Sequence, residues 1–445
     1  MKECAMKSRS PPPDSLAAAF LDAAEAVVNV IEGRNLDVAL GAVRTEQSLQ
    51  HGAVQDLAYG ALRQFGRGDF VLGRLLTQPL KEQRIRALLL AALYRLEVRP
   101  EDAHTTVDQA VTAAAGVAHG RFKALVNGVL RNFLRRQAEL EKLVDGDDEA
   151  RWRTPRWWME KLRKAYPAGW QDILVAGNGH PPMTLRVNRR RLDATAYVER
   201  LAHADIEARA LDDTAVLLAK PQAVAKLPGF FEGLVSVQDW GAQRAAALLD
   251  TCSGMRVLDA CAAPGGKTAH LLEQPEIEML DLVALDVDAM RAQRIMDNLE
   301  RLDLGRGPGP IATVKVADAR DIDSWWDGRP FDCILADVPC TASGVVRRHP
   351  DSKWLRRASD VAGFVRSQTQ IVDALWQTLA PGGKMLYCTC SLFAEENGVQ
   401  VAAFANRHDD ALRLPTGSGN AQYVQLTPRA EHDGFYYALL QKNAT

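Results

Sequence analysis

The stretch Asp259-Ala-Cys-Ala-Ala-Pro-Gly-Gly-Lys-Thr268, which overlaps the end of the apolar run Arg256–Ala260, decides how the chain is read. A short β-type run passing at once into a glycine-rich segment is a strand-to-helix turn with close backbone approach. Its Gly-Lys-Thr ending invites comparison with a triphosphate loop, but that loop needs glycine five positions before Gly266, and Cys261 stands there. Triphosphate hydrolysis is not expected. Downstream, Leu282–Asp286, Ala312–Ala317, Phe331–Asp337 and Lys384–Cys390 also read as buried strands, spaced widely enough for crossover helices. This alternation predicts an α/β fold with a doubly wound, mostly parallel sheet. Such a sheet binds its ligand beyond the carboxyl ends of its strands.

The residues just past each strand are therefore the candidates. Asp286 ends the second run 20 positions after Gly266, a spacing that suits a carboxylate gripping ribose hydroxyls. Asp318 follows the third run and Asp337 closes the fourth, so the expected ligand is adenosine-like. Two thiols join them: Cys340 in Asp337-Val-Pro-Cys-Thr-Ala-Ser-Gly344, and Cys390 in Tyr387-Cys-Thr-Cys-Ser391. Thiols answer a specific chemical need. Cytosine C5 is a poor nucleophile until a thiolate adds to C6 and pushes electron density onto it. A second group must then take the C5 proton and let the enzyme leave, while a carboxyl group can protonate N3. Buried inert cysteines are the plain alternative. No paired Cys-x-x-Cys or His-x-x-x-His spacing points to zinc, so no metal is expected.

Outward from this core, residues 15–145 carry a helical pattern. It is clearest in Arg121–Arg136, where Phe122, Leu125, Val126, Val129, Leu130, Phe133 and Leu134 form one stripe. Arg121, Arg131, Arg135 and Arg136 fall outside the stripe, as phosphate contacts or as an ordinary solvated face. After the acidic linker Asp145–Glu149, residues 151–200 hold eleven basic against four acidic residues, net +7. Trp152, Trp157, Trp158, Tyr166 and Trp170 are interleaved there, which fits either single-stranded RNA binding or a hydrophobic core. Arg186, Arg189, Arg190 and Arg191, with Arg347, Arg348, Arg356 and Arg357, are the candidate RNA-phosphate contacts. The expected organisation is a disordered extension (1–14), an all-α domain (15–145), a small basic and aromatic α+β domain (151–234) and the parallel-sheet domain (235–445).

Composition narrows the class. With 445 residues, 47% apolar and 25% charged, the chain has ordinary globular usage and room for about three domains. The net charge of −2 gives no global basic excess, so a nucleic-acid partner has to be read locally. Arg86 and Arg95 bracket only eight residues, Ala87–Tyr94, against the roughly 20 a membrane helix needs. Pro11-Pro12-Pro13-Asp14 interrupts any secretory pattern. Seven cysteines, an odd number without paired spacing, suit a reducing cytoplasm.

The strings DACAAPGGKT (259–268), DVPCTASGVVRRHPDSKWLRR (337–357), YCTCS (387–391) and DGFYYA (433–438) resemble the bacterial small-subunit ribosomal RNA cytosine-C5 methyltransferases of the methyltransferase B family. RTEQSLQHGAVQDLAYGALR (44–63) and VNGVLRNFLRR (126–136) resemble that family's NusB-like RNA-binding domain. PPMTLRVN (181–188) and VQDWGAQRAA (237–246) resemble its middle region. The likeness spans all but the first 14 residues. It implies a Rossmann-like class I methyltransferase domain and a monomer acting on 16S ribosomal RNA, at the cytosine-967 site. By the same likeness, S-adenosylmethionine contacts fall on Cys261, Ala262, Ala263, Pro264, Gly265, Gly266, Lys267, Asp286, Asp318 and Asp337. The nucleophile falls on Cys390 and the release thiol on Cys340. Two departures are Val338, where the family usually has Ala, and the additional thiol Cys388. A transfer RNA substrate, or a non-catalytic RNA-binding or antitermination factor, are the rival functions. The Asn-Pro-Pro-Tyr string of amino-group methyltransferases is replaced here by Asp337-Val-Pro-Cys340.

Overall fold

The computed structural model describes residues 11–43, 51–305, 309–416 and 420–444. Residues 44–50, the start of one NusB-like string, and residues 1–10 of the expected extension lie outside them. Residues 11–14 form a turn: Ser15 N and Oγ donate to Pro12 O, and Ser15 Oγ in turn accepts from Ala18 N, capping the first helix. The chain divides into two compact units, residues 1–179 with 346–358, and residues 180–345 with 359–445.

The first unit is helical. Its centre is Leu16–Ile31, an alanine-rich helix buried along nearly its whole surface, because small side chains let neighbours approach from several sides. Helices Leu36–Val43, His51–Arg63, Gln83–Val98 and Ala103–Ala114 pack around it. Gly60 is required by a close approach, since a Cβ there would lie 2.1 Å from the Tyr94 ring. Of the expected stripe, Val126, Val129, Leu130 and Phe133 are buried on helix Lys123–Asp145, while Phe122, Leu125 and Leu134 are half-buried.

Helices Arg156–Ala165 and Trp170–Asn178 fall within this compact unit. The boundary between the units, after Gly179, lies inside the expected domain 151–234. The cause is packing. Trp158, Met159 and Leu162 are buried on one face of the first helix, and Asn178 Oδ1 accepts from Lys353 Nζ at 2.7 Å. Residues 346–358 complete the unit: Trp354 Nε1 donates to Leu62 O at 2.8 Å and its ring lies 5.0 Å from that of Phe65. The chain therefore leaves the second unit after Val345 and rejoins it at Ser359.

The second unit holds two sheets. The smaller contains β1 (Thr184–Val187), β2 (Ala208–Ala210), β3 (Ala215–Leu218) and β4 (Val235–Val237), antiparallel in the order β2-β3-β1-β4. The larger contains β5 (Arg256–Ala260), β6 (Asp281–Asp286), β7 (Ile311–Val316), β8 (Phe331–Asp337), β9 (Leu379–Thr389), β10 (Ala411–Leu414), β11 (Val424–Leu426) and β12 (Phe435–Lys442). Its order is β10-β12-β9-β8-β5-β6-β7, with β11 beside β12. From β7 to β9 the neighbours are parallel; β12 is antiparallel to β9, β10 and β11. Beginning at β5, the chain winds one way through β6 and β7 and the other way through β8 and β9. The crevice beyond β5 and β8 is the switch point where such sheets take ligands. Parallel register places Ala260 beside Ala336 and Asp337 beside Cys388, so the strand ends share one edge.

Candidate active site

At the end of β5 the backbone turns sharply. Cys261 takes φ 61° and Gly265 φ 92°, and a Cβ on Gly265 would sit 3.1 Å from Ile295 Cα, so glycine permits both the turn and the approach. Helix Gly266–Leu272 starts at once. Asp286 holds the turn from the next strand: Ala263 N donates to its Oδ2 and Asp288 N to its Oδ1, both at 3.1 Å. Each oxygen keeps a lone pair for a further donor. Asp318 is gripped by Arg320, whose Nη2 donates at 2.6 Å and whose guanidinium holds the carboxyl below its usual range. A cleft of about 130 Å³ is lined by Cys261, Asp286, Val287, Asp318, Pro339 and Ile371 among others. Apolar walls with carboxylates at one side fit a nucleoside carrying hydroxyl donors.

Lys267 and Asp337 form the charged centre. Lys267 Nζ donates to Asp337 Oδ2 at 2.6 Å. Burial opposes the ammonium charge, but Asp337 outweighs it and the pKa of Lys267 stands well above its ordinary value. Asp337 Oδ1 accepts from Cys388 Sγ at 3.3 Å. Burial also pushes the Cys388 thiol well up. Cys261 is likewise pushed up to about 12 by burial and then by the surrounding carboxylates.

Cys340 and Cys390 meet beyond the ends of β8 and β9, with their sulfurs 3.4 Å apart. The strand ends at Thr389, so Cys390 stands past it while Cys388 stays within. The hydrogen bond with Cys390, then burial, raise the Cys340 pKa well above a free thiol's. One thiol of the pair therefore retains its proton beside the other.

The family described as 16S rRNA methyltransferase RsmB/F matches residues 246–441. A ferredoxin-like domain of RsmF/B-like methyltransferases matches 154–225, and the NusB family matches 16–135. The ribosomal RNA small subunit methyltransferase B of Erwinia tasmaniensis is 41% identical over 94% of this chain and 97% of its own. That of Vibrio cholerae is 43% identical over 94% and 96%. The chain belongs to the ribosomal RNA small subunit methyltransferase B family. It is an S-adenosylmethionine-dependent methyltransferase, and the cleft beyond β5 and β6 has the make-up such a cofactor needs. The crystal structure of PH0851 shares the fold, with TM-score 0.78 and 24% identity over 98% of this chain and 100% of that one.

The arginine candidates divide. Arg186 is fully buried, with Nε and Nη2 on Glu273 at 2.7 and 2.9 Å and Nη1 on Gln238 Oε1 and Gly266 O. It is withdrawn from any polyanion, because β1 is buried on both faces. Arg347 is buried as well, and its carbonyl accepts from Arg63. Arg190 donates to Leu272 O and Ile277 O, and Arg191 to Glu232 O. Arg189 and Arg357 are exposed, Arg348 and Arg356 half-buried.

Two acids escaped the sequence reading. Asp259 is buried within β5 beneath the loop, accepts from Thr268 Oγ1 at 2.6 Å, and is raised to about 7 by burial. Glu396 is buried behind both thiols. Asp259 was visible as the first letter of its motif; Glu396 has no spacing that separates it from Glu395. Among the described residues no group of His, Cys, Asp and Glu is arranged to hold a metal ion, and no helix is long and apolar enough to cross a membrane.

Proposed function

We propose that this methyltransferase transfers a methyl group to C5 of a cytosine in 16S ribosomal RNA, by family likeness cytosine 967, acting as a monomer in the cytoplasm. Cys390 is the nucleophile and Cys340 the release base. The observation that carries the reading is the pair of thiols 3.4 Å apart at adjoining strand ends, beside the Lys267–Asp337 pair. Bound S-adenosylmethionine supplies the electrophilic methyl group, held by the 261–267 turn with Asp286 and Asp318 toward its ribose and base.

In this reading the Cys390 thiolate adds to C6 while the proton the ring nitrogen needs passes from the charged Lys267 through Asp337, and it returns by the same route when the enzyme leaves. C5 then takes the methyl group. Cys340 is prepared by the first step itself. Its proton is held chiefly by the hydrogen bond with the sulfur beside it, and that bond is given up when Cys390 bonds C6. Cys340 can then pass its proton to water and, as the thiolate, take the proton from C5; the electrons of that C–H bond re-form the C5–C6 double bond, and the Cys390–C6 bond breaks to return the Cys390 thiolate. The middle region, divided between the two units, and the NusB-like helices present the RNA, with Arg189, Arg348, Arg356 and Arg357 as phosphate contacts.

The test is a denaturing gel with 16S RNA fragments and S-adenosylmethionine. Cys340→Ser should accumulate a covalent protein–RNA band; Cys390→Ser and the double variant should show none. A band that survives in Cys390→Ser and disappears in Cys388→Ser moves the nucleophile two residues, and equal bands with transfer RNA redirect the substrate.

A further inference from the structure

Behind the two thiols lies a carboxylate with no cation on it among the described residues. Glu396, in the short turn Ala394–Glu396 after β9, is fully buried. Its Oε1 accepts from Thr341 N at 2.9 Å and Gln368 Nε2 at 3.2 Å. Its Oε2 accepts from Thr341 Oγ1 and Ser391 Oγ, both at 2.5 Å. All four lone-pair directions are used. Thr341 follows Cys340 and Ser391 follows Cys390, so one carboxylate grips the residue next to each thiol. Gln368 extends the hold by donating to Pro339 O at 3.0 Å, and Tyr387 fixes the turn by donating to Glu396 O at 2.6 Å.

Burying a carboxylate without a cation is costly, and hydrogen bonds alone must offset that cost. A plain packing role would be met more cheaply by an apolar residue. We propose that Glu396 is a positioning residue that sets the spacing of Cys340 and Cys390, making the two thiols act on one base. This rests on the reading of those thiols as nucleophile and release base.

The spacing can be read without RNA. In the full-length protein equilibrated with glutathione buffers, peptide mapping of the Cys340–Cys390 disulfide gives the effective concentration of one thiol toward the other. Glu396→Ala should lower it at least about tenfold and slow turnover by about a hundredfold, the scale of a 1 Å misplacement. The KM for RNA and the affinity for S-adenosylmethionine should stay within about twofold of wild type. Glu396→Gln should restore most of both losses, since its carbonyl accepts while its amide donates to hydroxyls that rotate. If Glu396→Ala fails to fold, Ser391→Ala and Thr341→Val each remove one arm with the carboxylate in place, and the same thiol measurement applies. Wild-type thiol coupling and turnover in Glu396→Ala, or in both arm variants, overturns the proposal. So does loss of S-adenosylmethionine affinity in step with turnover, which marks a general loss of structure. A wild-type enzyme that never forms an RNA adduct defeats the thiol reading instead, while the glutathione measurement still reports on Glu396.

Discussion

The two sheets of the second unit treat charge in opposite ways. At the carboxyl end of the large sheet, Asp286, Asp318 and Asp337 sit where strands stop, and their carboxylates face a cleft or a lysine. In the small sheet the run Arg186–Arg191 crosses from a strand into a turn, and the strand member points into protein while the rest lie outside. Arg186 joins β1 to helix Gly266–Leu272 through Glu273 and Gly266 O, and Arg190 holds the end of the same helix through Leu272 O. The small sheet is therefore part of the frame of the cofactor turn. A basic run is sorted by strand geometry before it is sorted by function.

The sharpest way to break this comparison is Arg186→Ala. It leaves Glu273 buried and unpaired, a loss of about 3–5 kcal/mol. Because Gly266 O loses its donor as well, affinity for S-adenosylmethionine should fall in calorimetry even where the chain remains folded. Arg186→Met with Glu273→Leu should recover most of the stability, since an apolar pair of similar volume replaces the ions. Unchanged stability with weakened RNA binding in Arg186→Ala would return this strand to the RNA surface.

Asp259 tests the large sheet from inside. Its folded pKa of about 7 lies above the ordinary 3.8, through burial first and Asp337 next, and its Oδ1 meets no hydrogen-bond partner among the described residues. The sign follows from proton counts. Below about pH 4 both folded and unfolded forms are protonated; between about pH 4 and 7 only the folded form is, so stability falls as pH rises. Above pH 7 the cost is complete, at most on the order of 4 kcal/mol. Asp259→Asn keeps an acceptor for Thr268 and should remove this slope, giving a higher melting temperature than wild type at pH 8 and little change at pH 4. Parallel melting curves of the two proteins across that range would refute the assignment.

What the sequence showed tracks what is local. Strand-end acids, the Gly265-Gly266 turn and the two thiols follow from alternation and spacing along the chain, and each lies where the large sheet's topology puts it. What it hid depends on contacts between distant segments. Nothing in residues 151–179 reveals that they group with the helical unit, or that residues 346–358 return to it through Lys353 and Trp354. Glu396 is equally silent, because its four partners come from three separate segments.

The smallest expected effect belongs to Arg189, three residues from Arg186 in the same run. It is exposed, and its nearest acid, Glu276, stands 4.0 Å away with most of its own side chain in water. Such a pair contributes roughly 0–1 kcal/mol, so Arg189→Ala should leave the melting temperature and the affinity for S-adenosylmethionine at wild-type levels. If it reaches a phosphate, RNA binding weakens modestly and the salt dependence of the binding constant falls by about one in slope. The pair of variants then separates cleanly: Arg186→Ala moves stability and cofactor affinity, whereas Arg189→Ala moves only RNA affinity and its salt slope. Should Arg189→Ala destabilise the protein as strongly as Arg186→Ala, burial on β1 would no longer explain the division of the run, and the contrast between the two sheets would fail.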